Sequence, residues 1–469
     1  MNIKKTNSFF NRNKWLLLLT FVFIIYSFFR FTNLDLRIPF AWDQEQFSNQ
    51  IRAIVKNHDF TLLGPRVTND RGFYLAPYFS YLLIPFYLIF NLDPNALILF
   101  IKVVNIAFFA LSTWTIKEIF NIKNSIVFLL LWAINPILIK YDSTPWWPIL
   151  IPLGVILAIY LLYLLTKSPK NLILWSLLGI ILALFFNMHF QFIFIALFVA
   201  TFLITYFKLK LINHWVGLII SLMSFLIMFL PLVIFDFRNK FLNTNLLLSF
   251  FNEKVLNDQP YYQAWQPVFA NFIYPLFGWN NIMVVLLFFI VFTALLIYLI
   301  KTKKNFVKTL YISALVLLII TTLGFSLYGL RPSEYYFVYL YPFIYIAVVD
   351  FLLTHKKYFL IPIILIFLVF INLTSLKNSL NKEPLGLHFK RKVVESIVPF
   401  ARDKKFNITF DMQLGTNNGY LYLFEVSGIQ PTGDWNDPLI IIRSPPQQGD
   451  IIFHDIYSDI GVRIPPELK

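Results

Sequence analysis

The chain contains no cysteine and few charged residues, and each shortage excludes something. Without cysteine there are no disulfides and no thiolate metal sites. Only 13% of the 469 residues are Asp, Glu, Lys or Arg, too few for a soluble domain of this size to cover its surface. Also missing are a Gly-rich phosphate loop, a His-x-x-x-His pair and any soluble repeat, so nothing resembles a nucleotide-driven motor. What is present is apolar. Hydrophobic residues make up 58% of the chain and the mean hydropathy is +0.68. Apolar runs of about 18 to 20 residues recur, each long enough to cross a hydrocarbon core of about 30 Å. The sequence reads as an α-helical polytopic membrane protein.

The net charge is +15, but the lysines fall in short clusters between apolar runs. That is the positive-inside distribution rather than a phosphate-binding stripe, so no nucleic-acid partner is expected. Lys4, Lys5, Arg12 and Lys14 precede the run Trp15 to Phe29, and no small-residue cleavage site follows it. This predicts an uncleaved first span with a cytoplasmic N-terminus.

Orientation turns on residues 76–91, which are apolar but short and interrupted by Pro85. Counted as a span, they place Lys301, Lys303, Lys304, Lys308, Lys356 and Lys357 outside. Counted as a juxtamembrane helix, they place all six inside with Lys117, Lys123, Lys167, Lys170, Lys208 and Lys210. The second threading satisfies the charge rule. It predicts about eleven spans, at 15–31, 96–116, 125–140, 149–166, 172–187, 190–207, 215–235, 281–300, 309–329, 335–354 and 358–375.

The external face then holds a first loop at 32–95, Tyr141 to Pro148, the turn at Met188-His189, a loop at about 236–280, and Arg331 to Glu334. The tail lies outside too, which divides the chain into a membrane domain, 1–375, and an extracytoplasmic domain, 376–469. In that domain 388–404 reads as an amphipathic helix, and Phe406 to Phe410, Tyr420 to Val426 and Leu439 to Ile442 read as strands. Turn signals at Asn418-Gly419 and Ser444-Pro445-Pro446 separate or follow them. A small mixed α/β cap is expected.

On this threading the unusual polar residues share one face. Asp43 and Glu45 open the first loop in Ala41-Trp42-Asp43-Gln44-Glu45, and an acid at a membrane edge is costly enough to mark a functional site. Arg66, Asp70, Arg71 and Tyr74 follow in the same loop. Asp142 and Trp146 lie in Tyr141 to Pro148, His189 at the next external turn, and Arg331 with Glu334 at a later one. Such a convergence suggests a cleft for a polar, partly anionic substrate. Each residue also has a structural reading. Asp43 and Glu45 would cap an interfacial helix, Asp142 would cap the helix entered at Pro145, and Asp70 and Arg71 would form a loop ion pair. Arg331, desolvated among apolar spans, would want an anionic partner, which Glu334 could supply. His189 has no second ligand at metal spacing, so no metal site or other cofactor is assigned and a divalent-metal requirement stays open.

In their order and sidedness these segments resemble the type C glycosyltransferases, membrane enzymes that use polyprenyl-phosphate-linked sugars. The likeness is greatest to the family-39-type branch, which includes protein O-mannosyltransferases and lipid A aminoarabinose transferases. It rests on Asp43 early in the first loop, Gly72 to Tyr78, Tyr141 to Pro148, Asn187-Met188-His189-Phe190, Leu230 to Arg238, and Glu334-Tyr335-Tyr336 with Tyr341-Pro342. There are departures. Ala76 precedes Pro77 where some relatives carry Lys or His, and Asp142-Ser143 stands where bacterial relatives often have Ser-Arg. Donor-phosphate binding is therefore expected of Arg71 or Arg331. The resemblance implies inverting transfer from a polyprenyl-phosphate sugar to a glycan, lipid or protein hydroxyl, outside a prokaryotic plasma membrane, with Asp43 as base. Two other classes compete: an O-antigen-type polymerase or ligase, and a non-enzymatic lipid or sugar transporter. The former would rely on a large late external loop; the latter predicts duplicated halves, and none are present.

Overall fold

The computed structural model describes residues 3–67, 72–252, 261–328, 331–456 and 459–469. Helix α1 (Ile3–Phe31) leads into three short helices, α2 (Leu34–Arg37), α3 (Trp42–Asn57) and α4 (Tyr78–Ile89). The bundle continues with α5 (Ala96–Ile119), α6 (Ile122–Ala133) and α7 (Pro136–Asp142). After a 3₁₀ turn at Trp147–Leu150 come α8 (Ile151–Lys167), α9 (Leu172–Met188), α10 (Ile193–Phe207), α11 (Trp215–Ile227) and α12 (Leu230–Arg238). Next are α13 (Leu242–Asn252), α14 (Tyr261–Phe277), α15 (Ile282–Thr302) and α16 (Asn305–Tyr328). A 3₁₀ segment at Glu334–Leu340 opens α17 (Tyr341–Thr354), which is followed by α18 (Leu360–Ile371) and α19 (Leu373–Asn378).

Among the described residues seven helical stretches are long and apolar enough to cross a membrane, or eight if the α6–α7 pair, bent by 81°, is one span. Helices α4, α9 and α18 are apolar but shorter. The protein is thus a multi-pass membrane protein. Proline explains two of the breaks. At Asn135-Pro136 the ring cannot donate to α6, and the Asn135 side chain instead caps α7 by accepting from the Ile137 and Leu138 amides at 2.9 and 3.2 Å. Pro231 sits in the first turn of α12, so the stretch expected as a single span at 215–235 is two helices.

The loop expected at about 236–280 is largely helical. Helix α14 carries Trp265, Val268, Phe269, Phe272 and Ile273 into the core, a helical stripe that two internal prolines, Pro267 and Pro275, conceal in the sequence. Its neighbours are α15, α16 and α18.

The turns bearing Lys123 and Lys303 meet around one cavity. Lys123, after α5, lies over the rings of Trp15 and Tyr358 at 5.5 and 5.4 Å. Lys303, between α15 and α16, pairs with Asp350 near the end of α17 at 2.6 Å.

The remaining residues form α20 (Leu387–Ala401), β1 (Asn407–Asp411), α21 (Tyr420–Val426), β2 (Leu439–Arg443), β3 (Ile451–Phe453) and β4 (Ile460–Arg463). The sheet order is β1-β2-β4-β3. Strands β1 and β2 are parallel, and the other pairings antiparallel. Val393, Val394 and Ile397 of α20 share a core with Phe406, Ile440, Ile442, Ile460 and Val462. Tyr420–Val426 is a helix, not the expected strand. A short, mostly apolar run does not declare its type, and here Tyr420, Tyr422, Leu423 and Phe424 are all buried.

This C-terminal unit is laced to the segment entering α3. The amides of Glu383 and Leu387 donate to the carbonyls of Leu36 and Ile38, both at 2.9 Å, and Lys390 Nζ takes the next alternate carbonyl, that of Phe40, at 2.9 Å. Backbones meet so closely that a Cβ at Gly386 would lie 2.8 Å from the Ile38 oxygen, and one at Gly419 2.7 Å from that of Phe40. Arg391 grips Asp93 through both η nitrogens at 2.8 and 2.7 Å, and Arg52 pairs with Glu425.

Candidate active site

Helix α3 starts where Ala41, in an extended conformation, lets its amide bond the Gln44 side chain at 3.0 Å. Two acids in its first turn suit the positive end of a helix. Gln44 Nε2 also donates to the Pro145 carbonyl at 3.3 Å, which ties the turn to the Tyr141–Pro148 segment. One turn on, the hydroxyls of Ser48 and Tyr87 meet at 2.6 Å and Phe47 packs edge-on against Phe79 of α4. Asp43 is thereby held on a rigid element.

Asp43 is half-buried, and among the described residues no hydrogen bond or ion pair reaches its carboxylate. Burial pushes its carboxyl up to about 6, so desolvation outweighs the helix dipole. The charge of Asp43 is felt at Tyr335, which lines a cavity of about 1110 Å³. Glu45 is half-buried beside it and acts instead on Lys390.

The cavity lies between α7, the C-terminal end of α14, the 334–340 turn and the strand of chain between α19 and α20. Arg37, Lys140 and Lys382 bring cations to it, Glu334 and Glu383 carboxylates, and Tyr141, Trp146 and Tyr335 rings. Arg37 is buried. It donates to the carbonyls of Phe29 and Thr32 at 2.9 and 3.1 Å and to Ser143 Oγ at 2.9 Å. Burial and the charge of Arg30 hold its guanidinium down at about 10, still charged at neutral pH. Glu334 accepts from Tyr141 Oη at 3.2 Å, with Lys140 Nζ at 3.8 Å. Trp146 stacks on Tyr141 and meets Tyr335 edge-on at 4.6 Å. His189 is buried against Tyr335 and Tyr336, and its Nδ1 accepts from the Gln191 amide at 3.2 Å.

Asp142 does not cap the helix entered at Pro145. It is the last residue of α7, and its Oδ2 accepts from Arg30 Nε and Nη2 at 2.9 and 2.7 Å and from Trp132 Nε1 at 3.0 Å. Arg30 is wholly buried and lies 3.9 Å over the Tyr26 ring. The Asp142 backbone carbonyl receives Asn105 Nδ2 at 2.8 Å. The side chain is committed to a buried network and is not among those lining the cavity.

Arg66 and Tyr74 face each other across a short hairpin. Arg66 Nε donates to the Gly72 carbonyl at 2.7 Å and the guanidinium lies 5.5 Å over the Tyr74 ring. Asn243 brackets the Tyr74 backbone at 2.6 and 3.1 Å, and Asp236 in turn holds the Asn243 amide at 2.7 Å. The Ala76 amide donates to Asn187 Oδ1 at 2.8 Å. Three segments separated in sequence, 72–78, 187–190 and 230–238, are thus joined. Asp70 and Arg71 lie outside the described residues. Arg331 is exposed rather than desolvated, two residues before the cavity-lining Ser333.

Sequence reasoning missed Arg30, Arg37 and Lys140. Arg30 left a signal, because a cation in the last turn of an apolar span requires a partner. Arg37 and Lys140 read as ordinary interfacial charges. Among the described residues no three His, Asp or Glu side chains are grouped to hold a metal ion.

No family model and no curated protein matches the chain. Solved structures do. ArnT from Cupriavidus metallidurans is similar over 96% of this chain and 98% of its own in the apo state, with a TM-score of 0.61 and 11% identity. Bound to undecaprenyl phosphate, it gives 0.62 and 11% over 97% and 99%. The archaeal oligosaccharyltransferase AglB from Archaeoglobus fulgidus, in complex with an inhibitory peptide and a dolichol-phosphate, gives 0.54 and 11% over 93% of this chain and 70% of its own. From its first span to its C-terminal cap, the chain has the type C membrane glycosyltransferase fold.

Proposed function

We propose that the protein is an inverting glycosyltransferase that moves a sugar from a polyprenyl-phosphate donor to a hydroxyl on the extracytoplasmic face of the plasma membrane. The reading is carried by Asp43, a carboxylate without a partner, desolvated to about 6 beside a large cavity of mixed charge. The similar structures bound to undecaprenyl phosphate and dolichol-phosphate support the donor class.

In this mechanism Asp43 accepts the proton of the acceptor hydroxyl as its oxygen attacks the anomeric carbon. The bond to the phosphate oxygen breaks on the opposite side, and polyprenyl phosphate leaves. A carboxylate at about 6 remains mostly ionised at neutral pH and is a stronger base than an ordinary one. Arg37 and Lys140 compensate the charge that develops on the leaving phosphate, with Arg331 at the cavity edge as a further contact. Trp146 and Tyr335 offer faces for the sugar; Glu334 holds Tyr141, on which Trp146 stacks, and His189 packs against Tyr335. Glu45 and Asp142 are positioning residues, the first toward Lys390 and the second through Arg30. Arg66 and Tyr74 of the first external loop, with Asp70 and Arg71 of the same sequence segment, would meet the acceptor, a glycan, lipid or protein.

The test is incubation of the purified protein with polyprenyl-phosphate sugars. Sugar transfer with release of polyprenyl phosphate, abolished in Asp43→Asn, is expected. Transfer retained by that variant removes the base assignment, and vectorial movement of uncleaved donor replaces the enzyme with a transporter.

A further inference from the structure

A second cavity, of about 480 Å³, lies away from the site, between the first turns of α5 and the start of α20. One wall is the stripe Asn95, Ile98 and Lys102 of α5, at the i, i+3, i+7 spacing of a single helix face. The other wall is His388 and Arg391 of α20, and Asp35 of α2 completes the rim.

The charges are ordered by depth. Lys102 lies seven residues beyond Asn95, roughly 10 Å further along the helix. It is exposed and among the described residues meets no carboxylate. Val103 and Ile106 beside it are 44% and 47% exposed, so this face of α5 continues as bare apolar surface toward the bilayer centre. Asp35, beyond the end of α1, is on the aqueous side and also exposed. Arg391 adds no net charge, because both its η nitrogens are spent on Asp93. Burial, and the charge of nearby Lys392, keep His388 below its ordinary value and therefore neutral at pH 7. Among the described residues the lining balances: one free cation deep, one free carboxylate shallow, and a neutral imidazole between.

We infer that this cavity binds the headgroup of a zwitterionic phospholipid bearing a primary amine, phosphatidylethanolamine in chemistry, in the leaflet on the side of the 32–95 loop. The phosphodiester, nearer the glycerol, meets Lys102, whose stem lies along the apolar groove with its ammonium reaching upward. The amine, nearer water, meets Asp35. One acyl chain follows Val103 and Ile106. An anionic headgroup would leave Asp35 facing negative charge, and a quaternary amine could not donate to it. The lipid joins α5 to the C-terminal unit from the membrane side.

Detergent-purified full-length protein is titrated with dioleoyl phosphatidylethanolamine, phosphatidylglycerol and phosphatidylcholine. Retention is followed by native mass spectrometry and Tm by thermal melting. The ethanolamine lipid should be retained best and raise Tm most. Lys102→Gln should weaken its retention roughly tenfold, the loss of one charge-assisted bond. Asp35→Asn should invert the preference toward phosphatidylglycerol. Both positions are exposed, so lipid-free melting of the variants should match the parent. Equal retention of the three lipids by the parent, or undiminished retention by Lys102→Gln, overturns the proposal, as does an unchanged preference in Asp35→Asn. The inference needs only the membrane fold, so it stands or falls separately from sugar transfer.

Discussion

The ammonium of Lys390 donates to the carbonyl of Phe40 at 2.9 Å, three residues before Asp43, and to that of Asn418 at 2.6 Å. A cation from the C-terminal unit therefore fixes the backbone that delivers the proposed base. Lys390→Met leaves both carbonyls unpaired and releases the turn. If a shift of about 1 Å costs roughly 100-fold, kcat should fall 10- to 100-fold with donor KM little changed, and Lys390→Arg should recover part of it. Initial rates at varied donor concentration separate these parameters. Unaltered kcat in Lys390→Met would remove the clamp from the mechanism.

Asp43 gives a pH dependence with a defined sign. It must be ionised to accept a proton, so the rate should be half-maximal near pH 6, where its carboxyl stands, and fall about tenfold per unit below that. Stability runs the other way. A carboxyl raised in the folded state costs nothing below its unfolded value near 3.8, and its cost is complete above about 6. At neutral pH, Asp43→Asn should therefore melt higher, by about 1–2 kcal/mol after allowance for partial exposure, while transfer drops at least 100-fold. A variant both inactive and less stable would point to a structural carboxylate.

Asp142 should behave oppositely. Removing one member of a buried ion pair strands the other, at a cost of roughly 3–5 kcal/mol. Asp142→Asn and Arg30→Gln should each lower Tm sharply in detergent, and the double variant should be less damaged than the two single effects added together. Additivity in that cycle would refute the direct pairing.

Two of the cavity cations, Arg37 and Lys140, differ in exposure and should differ in effect. Arg37 is buried with three bonds, and Arg37→Gln should raise donor KM more than tenfold. The Lys140 side chain is 63% exposed, and Lys140→Gln should change it only two- to fivefold, roughly what a screened surface charge contributes. Equal effects would mean that the phosphate does not reach the buried guanidinium.

The absence of cysteine makes orientation directly measurable. Leu209, between α10 and α11, is 93% exposed, and Leu414 in the C-terminal unit is 97% exposed. In intact cells Leu414→Cys should react with an impermeant maleimide, and Leu209→Cys only after permeabilisation. Labelling of Leu209→Cys from outside with Leu414→Cys protected would reverse the proposed threading, and labelling of both from outside would overturn it.

Much of this was legible in the sequence. Periodicity and lysine placement put Asp43, Tyr141, His189 and Glu334 on one face; Tyr141 and Glu334 line one cavity, and Asp43 and His189 meet Tyr335 in its wall. Helix α14 escaped because Pro267 and Pro275 read as breakers, although its buried stripe has helical spacing. Helix α21 escaped because a seven-residue, mostly apolar run fits a strand as well as a helix. Arg37 was missed, and the capping role expected of Asp142 was mistaken, for a different reason. Whether a charge faces a cavity or a buried partner depends on contacts across more than a hundred residues, as in Arg30 with Asp142, and no local pattern carries that.

The lacing of Leu36, Ile38 and Phe40 by Glu383, Leu387 and Lys390 has a consequence for the order of synthesis. The loop bearing the proposed base is made early, but the groups that lock it arrive more than three hundred residues later. On the proposed threading and function, a nascent chain that lacks Glu383, Leu387 and Lys390 holds Asp43 on an unfastened segment, so transfer should begin only once these residues have crossed the membrane and folded against it.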